Sequence, residues 1–204
     1  MQVLCQEQTD NVKRKSTAQA RKPRADSARN RQLLIDTAKQ GFSEVGLNVS
    51  LEEIARRAGV GIGTLYRHFP TREALFEAVY RREVDELAEL AGQMGQESSP
   101  VDALRQWLRA IVQLVATKKG MLAALALAAD GRSDLYAYSA ERLSKAIGTL
   151  LQRATKAGQI RSDITPEDLL RALIGLCYSY DRPDWQEPVT RLLDVFVDGL
   201  VAKR

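Results

Sequence analysis

The 204-residue chain has two cysteines and one histidine, and its longest uncharged apolar run, Met121 to Ala129, is nine residues. Each scarcity excludes something. Cys5 and Cys177 stand 172 positions apart with no C-x-x-C pair, and His68 is alone, so neither a disulfide framework nor a zinc finger is expected and a reduced, cytoplasmic setting fits best. Nine apolar residues fall far short of the ~20 that span a bilayer. Near the N-terminus Lys13, Arg14 and Lys15 are not followed by an apolar stretch, so neither secretion nor a membrane span is expected. The phosphate-binding patterns G-x-G-x-x-G and G-x-x-x-x-G-K-[ST] are missing, and no nucleophile stands with an obvious base. The expectation is therefore no enzyme, no cofactor and no metal. Glu52-Glu53 and Glu167-Asp168 fall where helices begin, and capping accounts for them better than acid–base chemistry.

What is present describes one or two folded domains, with 45% hydrophobic and 27% charged residues. The formal charge of +4 is unevenly spread: residues 1–72 hold 13 Lys and Arg against 7 Asp and Glu, net +6, and residues 73–204 hold 17 against 19, net −2. The first third therefore has the charge of a polyanion-binding segment. Residues 1–25 are polar and aperiodic, with six basic and two acidic side chains, and read as a flexible basic arm.

From Asp26 onward the apolar spacing is helical. Leu33, Leu34, Ala38 and Phe42 trace a first helix that Gly46 stops. Ser50-Leu-Glu-Glu53 is a capping box opening a short helix that Gly59 ends. A third short helix runs to His68, Pro70 forbids its continuation, and Thr71 caps a fourth that reaches about Ala91. Further helices are expected over about 101–118, 121–129, 133–157, 165–180 and 185 or 188 to 201. With no convincing alternating β-branched run, the chain reads as all-α with about nine helices. Residues 26–72 then form a three-helix domain and 73–204 a larger helical one.

Residues 50–69 order themselves as capped short helix, glycine turn and second short helix. Ala55 is small enough for a close crossing, Gly59 supplies a left-handed turn, and Val60 and Leu65 are there to bury the second helix against the first. That is a helix-turn-helix pattern. The stretch from Leu33 to Tyr80, densest in LEEIARRAGVGIGTLYRHFPTREALFEAV, resembles the TetR-type one-component transcriptional regulators. Gly61 departs from the pattern, because a serine or another capping residue is common there. Beyond residue 100 the resemblance extends only to helix number and length.

The resemblance implies a double-stranded DNA partner, with the helix from about Gly61 or Ile62 to His68 as the recognition helix. Gly63 and Thr64 then lie at the start of that helix, where base edges or a phosphate would be, and Arg67 is placed for bidentate contacts to guanine. Tyr66, His68 and Arg72 are expected at phosphates, and Ser50, besides capping, at the phosphate nearest the second helix. Two readings of the basic arm stand side by side, a reach into an adjacent minor groove and no specific role. The same resemblance implies a homodimer paired through the last two helices, about 165–180 and 188–201, and a small-molecule effector. Trp107, Ile111, Leu114, Met121, Leu125, Tyr136, Tyr138 and Tyr178 are candidates to line an apolar cavity for a hydrophobic or aromatic ligand, whose binding pivots helix four and releases the operator. The competing readings are an architectural or ligand-independent DNA-binding protein and an activator of the same fold.

Overall fold

The computed structural model describes residues 25–44, 48–94, 99–125, 132–180, 182 and 184–202, the side chains of 117–125, 132 and 133 excepted. Eight helices occupy the described residues: α1 over 25–44, α2 Leu51–Arg57, α3 Ile62–His68, α4 Arg72–Gln93, α5 Pro100–Leu125, α6 Arg132–Lys156, α7 Pro166–Tyr178 and α8 Gln186–Leu200. The only pairing outside helices among these residues is an antiparallel bridge between Ile160 and Val201. The all-α class is as expected. The basic arm, apart from its last residue, lies outside the described residues.

One expected break is not made. Gly120 does not end α5, which continues from Pro100 to Leu125 as one 26-residue helix. A glycine in a helix interior costs only about 1 kcal/mol relative to alanine, and a long helix with one well-buried face outweighs it. Of the separate apolar helix expected over 121–129, the first five residues belong to α5 and the rest lie outside the described residues. The Gly46 stop expected after the first helix lies outside the described residues, while the glycines after α2 and α6 act as anticipated. Gly59 and Gly158 are the two glycines with positive φ, +65° and +66°, among the described residues. Each sits after a helix whose last carbonyls are satisfied by two backward bonds, Gly59 N–H to Arg56 O with Val60 N–H to Ala55 O, and Gly158 N–H to Thr155 O with Gln159 N–H to Ala154 O. Thr165 opens α7 with a capping box, its hydroxyl accepting from Asp168 N while Asp168 accepts from Thr165 N.

Internal packing divides the chain into two units, Met1–Leu75 and Phe76–Arg204, with the boundary inside α4. The first unit buries Leu34, Ile35, Ala38 and Phe42 of α1 together with Val49, Leu51, Ile54, Ala55, Leu65, Phe69 and Leu75. In the second, α5 packs against α6, α7 and α8, and its Leu104, Trp107, Leu108, Ile111 and Val112 are fully buried. Two polar ties fix the periphery of that unit. Arg105 and Arg109 of α5 reach Asp194 of α8, and the hydrogen bond from Arg109 is the main reason the Asp194 carboxyl is held below its usual range. Arg153 of α6 donates to the carbonyls of Ala91, Gly92 and Met94, the orphan acceptors at the end of α4.

Trp107 carries the heaviest single demand, because its indole is fully buried and its Nε1–H must find an acceptor there. It donates to Leu87 O of α4 at 2.7 Å. Trp107→Phe is expected to destabilise the protein by about 1–3 kcal/mol through the lost bond and the void left behind, read as a lowered urea midpoint.

Candidate nucleic-acid interface and ligand cavity

The recognition segment is assembled from two seven-residue helices, and what orients them is local. Ser50 Oγ accepts from Glu53 N at 3.1 Å at the start of α2. Gly61 caps α3 with backbone alone, its carbonyl accepting from Thr64 N at 2.8 Å and Leu65 N at 3.1 Å, so the departure from a capping side chain leaves the helix start intact. Leu65 is fully buried and Phe69 nearly so, with the Arg31 guanidinium 5.2 Å above the Phe69 ring. Burying Leu65 fixes what faces outward at 100° per residue.

The exposed arc of α3 holds Ile62, Gly63, Tyr66 and Arg67, while Thr64 and His68, one turn apart, flank it half-buried. A Cβ at Gly61 or Gly63 would meet nothing within 4 Å, so the backbone itself is approachable there. Tyr66 is 44% exposed, so its ring is not part of the core of this unit. Ser50 is exposed at the α2 start. Arg72 differs from its expected surroundings: half-buried, it turns back to donate to Val49 O at 2.6 Å and so ties the beginning of α4 to the segment before α2. Ile62 was not singled out from the sequence, although its place on the wheel, away from Leu65, was readable; it is 40% exposed.

On α2, Arg56 and Arg57 both bond Glu53, and Arg57 also reaches Glu44. The bonds from Arg56 and then Arg57 hold the Glu53 carboxyl down to about 2, so these two arginines form a self-neutralised face.

The second unit contains a cavity of about 270 Å³ walled by Tyr80 of α4, by Tyr136, Ser139, Ala140 and Leu143 of α6, and by Leu170, Ile174 and Tyr178 of α7. Tyr136 and Tyr178 are thus the two expected cavity residues found at its walls. Trp107, Ile111 and Leu114 do not line it; they are buried core side chains of α5. Tyr138 does not line it either, because it lies 200° round α6 from Tyr136, and its hydroxyl donates to Asp85 of α4, which also accepts from Arg142. The side chains of Met121 and Leu125 lie outside the described residues. The wall residues missed on α6 fall three, four and seven positions after Tyr136, a helical face legible once Tyr136 is taken as its anchor. Burial pushes the Tyr80 and Tyr178 phenols up, so both stay neutral around pH 7.

On α7 and α8 the expected apolar faces divide in two. Leu169, Leu173, Cys177, Val189, Leu193, Val197 and Leu200 are buried in the unit's own core, and Leu170 and Ile174 face the cavity. Leu192 and Val195 remain 41% and 68% exposed on α8, in line with Pro188 and Gly199.

A family model described as bacterial regulatory proteins, tetR family, matches residues 34–79, and one described as transcriptional regulator SbtR-like, C-terminal domain, matches 99–202. The chain belongs to the TetR family of transcriptional regulators. It is a DNA-binding regulator by that membership. A TetR transcriptional regulator structure from Streptomyces coelicolor is 42% identical with a TM-score of 0.72, the match covering 85% of this chain and 99% of that one. A TetR regulatory protein from Mycobacterium vanbaalenii is 33% identical with a TM-score of 0.67, over 88% and 99% of the two chains. An HTH-type transcriptional regulator of Staphylococcus aureus is 41% identical over 63 residues, 30% of this chain and 34% of its own. The chain thus aligns with about a third of the length of such curated relatives. In this TetR-family chain no helix among the described residues is long and apolar enough to cross a membrane.

The ionic face on α2 has a pH signature. A carboxyl lowered from 4.5 to about 2 contributes stability that is present above the ordinary value and lost as pH falls toward 2. Carboxyl-detected NMR titration is expected to find Glu53 ionised at pH 3.5, and to find its value returned toward 4.5 in an Arg56→Ala, Arg57→Ala double variant.

Proposed function

We propose that this TetR-family chain is a homodimeric repressor that binds a palindromic operator through α3 and is released from it by a small hydrophobic or aromatic effector. Residues 26–72 serve as the DNA-binding part, and 73–204 as the ligand-binding and dimerising part. The observation that carries the reading is the outward arc of α3. A seven-residue helix held by Leu65 presents a guanidinium, a phenol and an approachable backbone on one face. Arg67 is the residue suited to guanine, and Ile62 with the Thr64 methyl is suited to the C5-methyl of thymine, the one apolar group on the major-groove floor. Tyr66 and His68, with Ser50 at the head of α2, suit the flanking phosphates. Arg72 acts mainly by holding the segment before α2 in place, and the self-neutralised Arg56 and Arg57 make a weak phosphate grip. Repression is the commoner mode of the family.

One such helix reads few base pairs, and two held about one DNA turn apart, ~34–36 Å, are needed for tight binding. The exposed stripe of Leu192, Val195 and Gly199 on α8, continued by the half-buried Pro188, and the exposed Gly175 on α7 suit pairing with a second copy. A Cβ at Gly175 or Gly199 would meet nothing within 4 Å, so another helix can come close. These two glycines weaken their helices by about 1 kcal/mol each, which a close crossing offsets.

Selection of bound sequences from random DNA is expected to recover a palindrome whose half-sites carry guanine and thymine, bound at least ~10³-fold more tightly than random DNA. Arg67→Ala is expected to relax the preference at one position of each half-site by about 1–3 kcal/mol and leave the others unchanged. Recovery of no preferred sequence rejects the reading. Val195→Arg, at a site too exposed to disturb the core, is expected to give a folded monomer by sedimentation that no longer binds the palindrome; a dimer of unchanged affinity rejects the α8 interface.

A further inference from the structure

Ile62 opens α3 as an isoleucine left 40% exposed, and Tyr66, one turn on along the same side, is exposed beside it. Glycines stand on either side of Ile62, and a Cβ at Gly61 or Gly63 would meet nothing within 4 Å, so neither neighbour shields the side chain. Keeping a branched alkyl group in water costs free energy that a polar residue at the same place would not. Branching at Cβ also leaves isoleucine essentially one χ1 rotamer in a helix, so little side-chain freedom is lost when it docks. The arc that carries Arg67 thus also carries a stiff apolar probe.

The chemistry of the major groove decides what such a probe senses, given the reading of α3 as the helix that meets the operator, on which this inference rests. Thymine shows O4 and a C5-methyl there, and cytosine an N4 amino group and a bare C5. An alkyl side chain neither donates nor accepts a hydrogen bond, so it has no means of choosing O4 over N4. The feature it recognises is the methyl, the group that gives it apolar area to bury. A methyl on C5 of cytosine stands on the same edge of the pyrimidine ring as the methyl of thymine and projects into the same groove. Arg67 works differently, because a guanidinium reads the O6 and N7 acceptors of guanine through donated bonds and takes no account of a pyrimidine methyl.

We propose that Ile62 makes operator binding sensitive to methylation at C5 of a pyrimidine: at the position it meets, thymine and 5-methylcytosine are favoured over uracil and cytosine. Cytosine methylation at such a position is then an input to the regulator in its own right, raising operator affinity with no change in the protein. The added methyl converts a disfavoured cytosine·guanine pair into one that Ile62 can cover.

The test uses the full-length protein and the operator recovered by selection from random DNA, with affinity read by fluorescence anisotropy. Each thymine of a half-site is replaced in turn by deoxyuridine, and each thymine·adenine pair by cytosine·guanine with and without a C5-methyl on the cytosine. At about one position of each half-site, removing the methyl is expected to weaken binding about fourfold in both kinds of pair, the value of one buried carbon. Ile62→Ala, at a site too exposed to disturb the core, is expected to cut both differences below about twofold. The loss caused by replacing the guanine read by Arg67 is expected to stay as it was in that variant, which a general weakening of α3 would not allow. Ile62→Val keeps the branched surface and is expected to retain the methyl dependence. Methyl removal without effect at every position, or with an effect undiminished in Ile62→Ala, overturns the proposal. A methyl effect seen for thymine but not for cytosine overturns its extension to 5-methylcytosine. Each of these outcomes leaves the regulator reading standing, whereas failure to recover any operator rejects that reading and this one with it.

Discussion

A helix of seven residues does not hold together in water, since nucleation costs more than two turns of hydrogen bonds return. Both helices of the recognition segment are of that length, so their existence depends on being packed. The constraint is met by a few side chains and one turn. Ile54 and Ala55 of α2 and Leu65 of α3 are buried together with Phe69, and the turn between the helices needs the positive φ that Gly59 adopts. Because Leu65 is the only fully buried side chain of α3, its burial alone decides which residues look outward. The outward arc of α3 is thus a by-product of core packing, and any change that lets Leu65 rotate re-aims that arc without touching a residue on it.

The second unit solves the opposite problem. Its helices run to 26 residues, and what needs specifying is how they register against each other rather than whether they form. Apolar burial is non-directional and leaves that open. Directional groups close it: the Trp107 indole on Leu87 O, the Asp85 cluster between α4 and α6, and the Arg105 and Arg109 pair on Asp194. Exposed ion pairs add little to stability, but a bidentate guanidinium on a half-buried carboxylate admits few geometries. Their value here lies in fixing which faces of α6 and α7 are left to wall the cavity.

Much of this was legible in the residues. The Ser50 and Thr165 caps, the Gly59 and Gly158 stops and the helix-turn-helix register are local signals, each decided within five or six positions, and they appear in the structure where the sequence places them, although at Ser50 only the hydroxyl half of the capping box forms because Arg56 and Arg57 hold the Glu53 carboxylate. Gly120 was misleading because a glycine's cost is small and the surrounding apolar face outweighs it. The cavity was only partly legible for a different reason. Apolar spacing at i, i+4 and i+7 marks a buried face but is silent about whether the face meets another helix or a void. Trp107, Ile111 and Leu114 and the wall residues of α6 and α7 share that spacing, and only the packing of three helices separates them.

Tyr136 and Tyr138 show how fine the separation is. Two positions apart on α6, they differ by 200° around the axis, and that rotation sends one to the cavity and the other to Asp85. The Asp85 cluster therefore has two functions that cannot be exchanged. It turns Tyr138 away from the cavity, and it pins α4 to α6 at a point outside the cavity walls.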